Sequence, residues 1–113
     1  MTMAKQKAQK GVTELSGKEF NEFTKHGLVL MDFFAEWCMP CLMMAPVMDE
    51  LSGKFKGKIK FGKINVDENR EISQKFRIVS IPNFILFKDG KPEAQFIGSM
   101  PLEDFEDKLK KHL

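Results

Sequence analysis

At 113 residues, with 42% hydrophobic and 30% charged side chains, the chain has the composition of one soluble globular domain and no room for a second. Its 18 Lys and Arg against 16 Asp and Glu leave a net charge of +2, too small and too dispersed for a nucleic-acid or membrane-surface binder. No apolar run approaches the roughly 20 residues of a membrane span, and residues 1–11 lack the apolar stretch of a signal peptide, so a cytoplasmic location is expected.

Residues 1–11 carry Lys5, Lys7 and Lys10 with no acid and read as a flexible basic tail ahead of a single domain over residues 12–113. Val12 to Leu15 has the pattern of a short edge strand. Ser16 and Glu19 then form an S-x-x-E capping box, opening an amphipathic helix that carries Phe20 and Phe23 and stops at Gly27. Leu28 to Phe34 is an apolar run broken only by Asp32, as expected of a central strand covered on both faces. Helix is expected from about Cys38 to Phe55, with Met44, Val47, Met48, Leu51 and Phe55 at helical spacing and Pro46 as a kink. Ile59 to Val66 is a second strand, so strand, helix and strand form a crossover with parallel strands, and the fold class is α/β. Asp67 is expected to cap a short helix reaching Phe76. Asn83 to Lys88 and Glu93 to Ile97 read as an antiparallel hairpin around Asp89-Gly90. A last helix starts near Pro101, with Glu103 and Asp104 in its first turn and Lys108, Lys110 and Lys111 toward its end, in keeping with the helix dipole.

The chain has two cysteines, Cys38 and Cys41, and their C-x-x-C spacing points either to half of a metal site or to a redox couple. A structural zinc site needs four ligands. The two histidines, His26 and His112, lie near helix ends and read as solvated imidazoles, so no metal site is expected. Cys38 stands where a helix begins after a central strand. There the first backbone N–H groups lack internal partners and, with the helix dipole, favour a negative charge. A thiol so placed should ionise below the usual value of about 8.5, and the thiolate is the form that attacks disulfides. Cys38 is therefore the expected nucleophile. Cys41, on the same helix face and expected to be the more buried, can close a disulfide with it or resolve a mixed disulfide. Pro40 fits the first turn, where its missing N–H costs no bond. A carboxyl inside an apolar strand should have a raised pKa, and Asp32 is accordingly a candidate proton acceptor; the plainer alternative is a buried acid that only hydrogen-bonds to Lys63 or to a backbone group.

With Asp32-Phe33-Phe34-Ala35-Glu36-Trp37-Cys38-Met39-Pro40-Cys41 in view, the sequence resembles the thioredoxin family from about Val12 to the C-terminus. The resemblance extends to Ala45-Pro46, Lys63-Ile64-Asn65-Val66-Asp67, Ser80-Ile81-Pro82, Phe87-Lys88-Asp89-Gly90 and Gly98. It implies a thioredoxin fold, a central mixed sheet of about five strands flanked by about four helices. It also implies reduction of protein disulfides through a mixed disulfide, without a bound cofactor, and recycling by a thioredoxin-reductase-type electron donor. The implied roles are attack for Cys38, resolution for Cys41, and deprotonation of the resolving thiol for Asp32 with Lys63 beside it. Trp37, Met39, Val66, Ile81, Pro82, Ile97 and Gly98 would form the apolar rim that receives substrate, with Ile81-Pro82 as a cis-proline loop. The chain departs from the family pattern at Met39, where Gly is usual, Leu42 for Lys, Asn83 for Thr and Phe34 for Trp. A monomeric protein-disulfide reductase is the leading expectation. A disulfide oxidase or isomerase, a binding module with incidental cysteines, and a pair of chains sharing zinc or an iron-sulfur cluster are the alternatives.

Overall fold

The apolar run Leu28–Phe34 forms the central strand β2, with β3 (Ile59–Asn65) on one side and β4 (Asn83–Lys88) on the other. β2 and β3 run parallel, with Asp32 opposite Lys63, while β2 and β4 are antiparallel, with Asp32 opposite Phe84. β1 (Val12–Leu15) adds in parallel outside β3 and β5 (Lys91–Ile97) antiparallel outside β4, so the five strands are ordered β1-β3-β2-β4-β5. This computed structural model describes residues 11–113, and the predicted basic tail, apart from Gly11, lies outside the described residues. Four helices accompany the sheet among the described residues: α1 (Gly17–Thr24), α2 (Met39–Lys54), α3 (Arg70–Lys75) and α4 (Leu102–Lys110). The expected α/β class and mixed sheet are both present.

Alternation along β2 sorts its side chains onto two faces. Leu30 packs with Phe61, Phe84 and Leu86 under Met44, Met48 and Leu51 of α2 and Phe105 and Leu109 of α4. Val29, Met31 and Phe33 point the other way, joining Ile64, Ile85 and Phe87 beneath Phe20 of α1 and Ile72 and Phe76 around α3. Phenylalanine supplies the large volumes: Phe20 meets Phe87 edge-on at 5.4 Å between centroids and Phe84 meets Phe105 at 4.9 Å. Such pairs contribute about 0.5–1.5 kcal/mol beyond their buried area. With both faces covered, the continuous apolar character of β2 is explained, and Asp32, only 3% exposed, is its exception.

Local chemistry sets the element ends. The Ser16 backbone N–H donates to the Glu19 carboxylate at 2.9 Å, closing the start of α1 as the capping box predicts. Asp89 and Gly90 have φ of 50° and 87°, the left-handed pair of a tight hairpin turn. The Asp89 carboxylate also accepts from the Gly27 N–H at 2.8 Å, tying that turn to the loop before β2. Three boundaries differ from expectation. β3 ends at Asn65, one residue before Val66, and β5 begins at Lys91 rather than Glu93. The N-cap position of α3 is Asn69, not Asp67, and its side chain makes no capping bond to the helix. The reason lies in Asn65, whose side-chain oxygen accepts from the N–H groups of Asp67 and Glu68 at 2.9 and 3.3 Å, so a turn intervenes before the helix starts. Asn69 in turn accepts from the Gly17 N–H at 2.8 Å, so it serves the start of α1. His112 is not a free imidazole: its Nδ1 lies 3.1 Å from Glu93.

Candidate active site

β2 delivers its chain to the site pole at Phe34, and the turn Ala35-Glu36-Trp37 leads into α2, with Cys38 at the N-cap and Pro40 at the second helical position. Cys38 and Cys41 are joined as a disulfide, their Cα atoms 5.2 Å apart. The Cys38 sulfur accepts a hydrogen bond from the Cys41 backbone N–H at 3.2 Å, and its carbonyl accepts from the Leu42 N–H at 3.1 Å. The sulfur thus occupies the cap position, where side-chain acceptors satisfy otherwise unpaired helix N–H groups. Pro40 leaves no donor unmatched in that turn. The expectation that Cys41 is the more buried is corrected. Cys38 is 3% and Cys41 4% exposed, because Ala35, Phe34, Val66 and Ile81 pack around both halves of the disulfide.

Asp32 shares a face of β2 with Leu30, which belongs to the core cluster that includes Met44 and Met48 of α2, and with Phe34, which packs against the cluster of Ala35, Cys38 and Cys41. The acid therefore lies under the first turns of the helix that carries the cysteines. Its Oδ1 is buried without a hydrogen-bond partner among the described residues. Burial raises its pKa from 3.8 to about 7, partly opposed by the positive charge of Lys63. Lys63 is its register partner on β3, and the Lys63 ammonium also sits 5.1 Å from the centre of the Phe34 ring. A carboxyl with this pKa can accept or release a proton near neutrality.

The remaining sequence candidates lie just after β2 and β3, just before β4 and at the end of β5. Ile81-Pro82 is a cis peptide, and Ile81 packs on the cysteine cluster. Pro82 is buried, and its carbonyl accepts from the Gly98 N–H at 2.9 Å, which draws the end of β5 to this loop. Val66 packs on the same cluster, held by its N–H bond to the Phe34 carbonyl at 2.8 Å. Trp37, Met39 and Ile97 expose 69%, 65% and 58% of their surface. Sequence reasoning missed two supporting residues. Asp67 accepts from the Trp37 indole N–H at 2.7 Å and so fixes the ring, and Asn65 shapes the turn that presents Asp67. The Asn-x-Asp spacing after a strand was the available signal, since asparagine in that place favours a turn over a helix cap.

No group of three or more His, Cys, Asp or Glu among the described residues is arranged to hold a metal ion. A cysteine pair at the mouth of a helix, over a buried acid and beside a cis-proline loop, defines a thiol–disulfide exchange site on a mixed α/β sheet. The thioredoxin family model matches residues 11–111. A thioredoxin from Staphylococcus haemolyticus is 42% identical over 102 residues, covering 90% of this chain and 98% of that protein. One from Staphylococcus saprophyticus is 40% identical with the same coverage. A mutant thioredoxin from Halobacterium salinarum NRC-1 superposes with a TM-score of 0.82 at 27% identity, over 92% of this chain and 90% of that one. The chain belongs to the thioredoxin family. It is a thiol–disulfide oxidoreductase of the protein-disulfide-reductase kind.

Proposed function

We propose that the chain reduces disulfides of partner proteins, with Cys38 as the attacking and Cys41 as the resolving sulfur. The Cys38 thiolate attacks one sulfur of the substrate disulfide, forming a mixed disulfide and expelling the other sulfur as a thiolate that takes up a proton. Asp32 accepts the proton of Cys41, and the Cys41 thiolate then attacks Cys38. This releases the second substrate thiol and leaves the Cys38–Cys41 disulfide. Two electrons pass to the substrate, and a thioredoxin-reductase-type donor restores the dithiol. The observation that carries the reading is the sulfur of Cys38 at the N-cap of α2, receiving the Cys41 N–H. Lys63 tempers the acid, and Pro40 restrains the first helical turn.

Trp37, Met39, Val66, Ile81, Pro82, Ile97 and Gly98 are the proposed substrate rim. An extended segment of substrate would pair with the backbone beside Pro82, and its apolar side chains would meet Trp37, Met39 and Ile97. The working form is a monomer. Pro92 in the outer strand β5 removes a backbone donor, and Lys91 and Glu93 add charge, both of which disfavour strand-to-strand pairing with a second copy. We assign the activity to the cytoplasm, where it would maintain thiol homeostasis and supply electrons to thiol-dependent reactions. The test is Cys41→Ser, which should accumulate mixed disulfides through Cys38 and fail to turn over insulin disulfides. Cys38→Ser should capture nothing covalently. Wild-type protein unable to reduce insulin, or one whose glutathione equilibrium makes it an oxidant, would overturn the reductase direction.

A further inference from the structure

The chain contains eight methionines, and the structure divides those on or near α2 into two groups. Met44 and Met48 of α2, and Met31 of β2, are 2%, 0% and 0% exposed in the core. Met39 and Met43, four residues apart and so on one side of the same helix, are 65% and 70% exposed. Between them Leu42 is 51% exposed, and Trp37, 69% exposed, lies two positions before Met39 across Cys38. From Met39 to Met48 the chain has no charged side chain. The two thioethers therefore lie open to water on an apolar surface that begins between the cysteines themselves.

We propose that Met39 and Met43 are a hydroperoxide-modified pair whose oxidation weakens substrate docking at the disulfide site. In each event one oxygen atom passes from the hydroperoxide to the methionine sulfur, giving the sulfoxide and leaving water or an alcohol. Sulfur gives up two electrons and the O–O bond accepts them. The product is a polar acceptor where an apolar, adaptable side chain stood, so at Met39 the rim loses the contact that methionine is suited to make with varied partners, and at Met43 the exposed helix surface that continues from Met39 turns polar. The cysteine pair is chemically untouched. The effect falls on binding and leaves the disulfide chemistry as it was.

The docking half of this inference rests on the proposed substrate rim; the modification half does not. Its test uses the full chain in the disulfide form, so that the thiols consume no oxidant. After timed exposure to hydrogen peroxide, peptide mass spectrometry should find Met39 and Met43 oxidised at least tenfold faster than Met31, Met44 and Met48. Comparable rates at all five would overturn the modification site. The oxidised protein, its disulfide then opened with a small dithiol, should reduce insulin with a several-fold higher KM and a redox potential equal to that of the untreated protein. An unchanged KM would overturn the docking effect. The double variant Met39→Leu, Met43→Leu, compared with its own untreated form, should lose nothing to peroxide; an equal loss would assign the effect to other residues. If untreated protein fails to reduce insulin, the reductase reading falls and takes the docking half with it, while the peptide rates still decide the site.

Discussion

Asp32 is the residue whose presence most needs a chemical reason, because a carboxyl buried with an unpartnered oxygen opposes folding. The sign of its effect follows from linkage. Its folded pKa of about 7 lies above the ordinary 3.8, so between those values the folded chain holds a proton that the unfolded chain has released. Stability is then greatest below pH 4 as far as this group is concerned, and is lost as pH rises through about 7. At about 1.4 kcal/mol per tenfold, the loss above pH 7 is roughly 4 kcal/mol. Asp32→Asn should recover a large share of it, raising the urea midpoint at pH 8 more than at pH 4. The same variant should slow insulin reduction and erase an inflection near neutrality in the pH profile of turnover. A destabilised variant with wild-type pH dependence would return Asp32 to a structural role. The acid was legible in the sequence because it interrupts an apolar strand. The Trp37–Asp67 bond was not, since it joins residues 30 apart that only the fold brings together.

Among elements, those with periodic apolar patterns were read well and those fixed by turn chemistry less so. β1, β2 and β4 have the bounds that Val12 to Leu15, Leu28 to Phe34 and Asn83 to Lys88 suggest. In each, burial requires a continuous or alternating apolar run. The start of α3 was misread because the side chain of Asn65 takes the Asp67 and Glu68 N–H groups into a turn, so the helix starts only after Asn69 and neither Asp67 nor Asn69 caps it through its side chain. Gly62 in β3 carries an element-scale prediction. A Cβ there would come within 2.8 Å of the Phe23 ring and 2.9 Å of the Met31 sulfur, and Met31 is fully buried. Gly62→Ala should therefore cost about 1–3 kcal/mol by overpacking, despite the better strand propensity of alanine. Chemical denaturation of the variant measures it, and an unchanged midpoint would mean that Phe23 gives way freely.

Over the whole molecule the mixed sheet has one working pole. β1, β2 and β3 are parallel, so their ends gather Asn65, Val66 and the turn to Cys38, and the antiparallel hairpin returns Pro82 and Gly98 to the same place. Crossover topology and the C-x-x-C spacing made that pole legible in the sequence. The isomer of Ile81-Pro82 was not, because spacing and composition do not distinguish cis from trans. Gly11, by contrast, lines a cavity of about 750 Å³ with His26, Gly27 and Lys58, at the opposite ends of the same strands. Seven residues of β2 separate the two poles by about 20 Å. An anchor, a label or a second folded unit joined directly to Gly11, in place of residues 1–10, is thus attached on the far side from the sulfurs. Such a fusion should keep the insulin-reduction kcat/KM of the unfused chain within twofold, and immobilising the protein by that end should leave its reactive face turned outward.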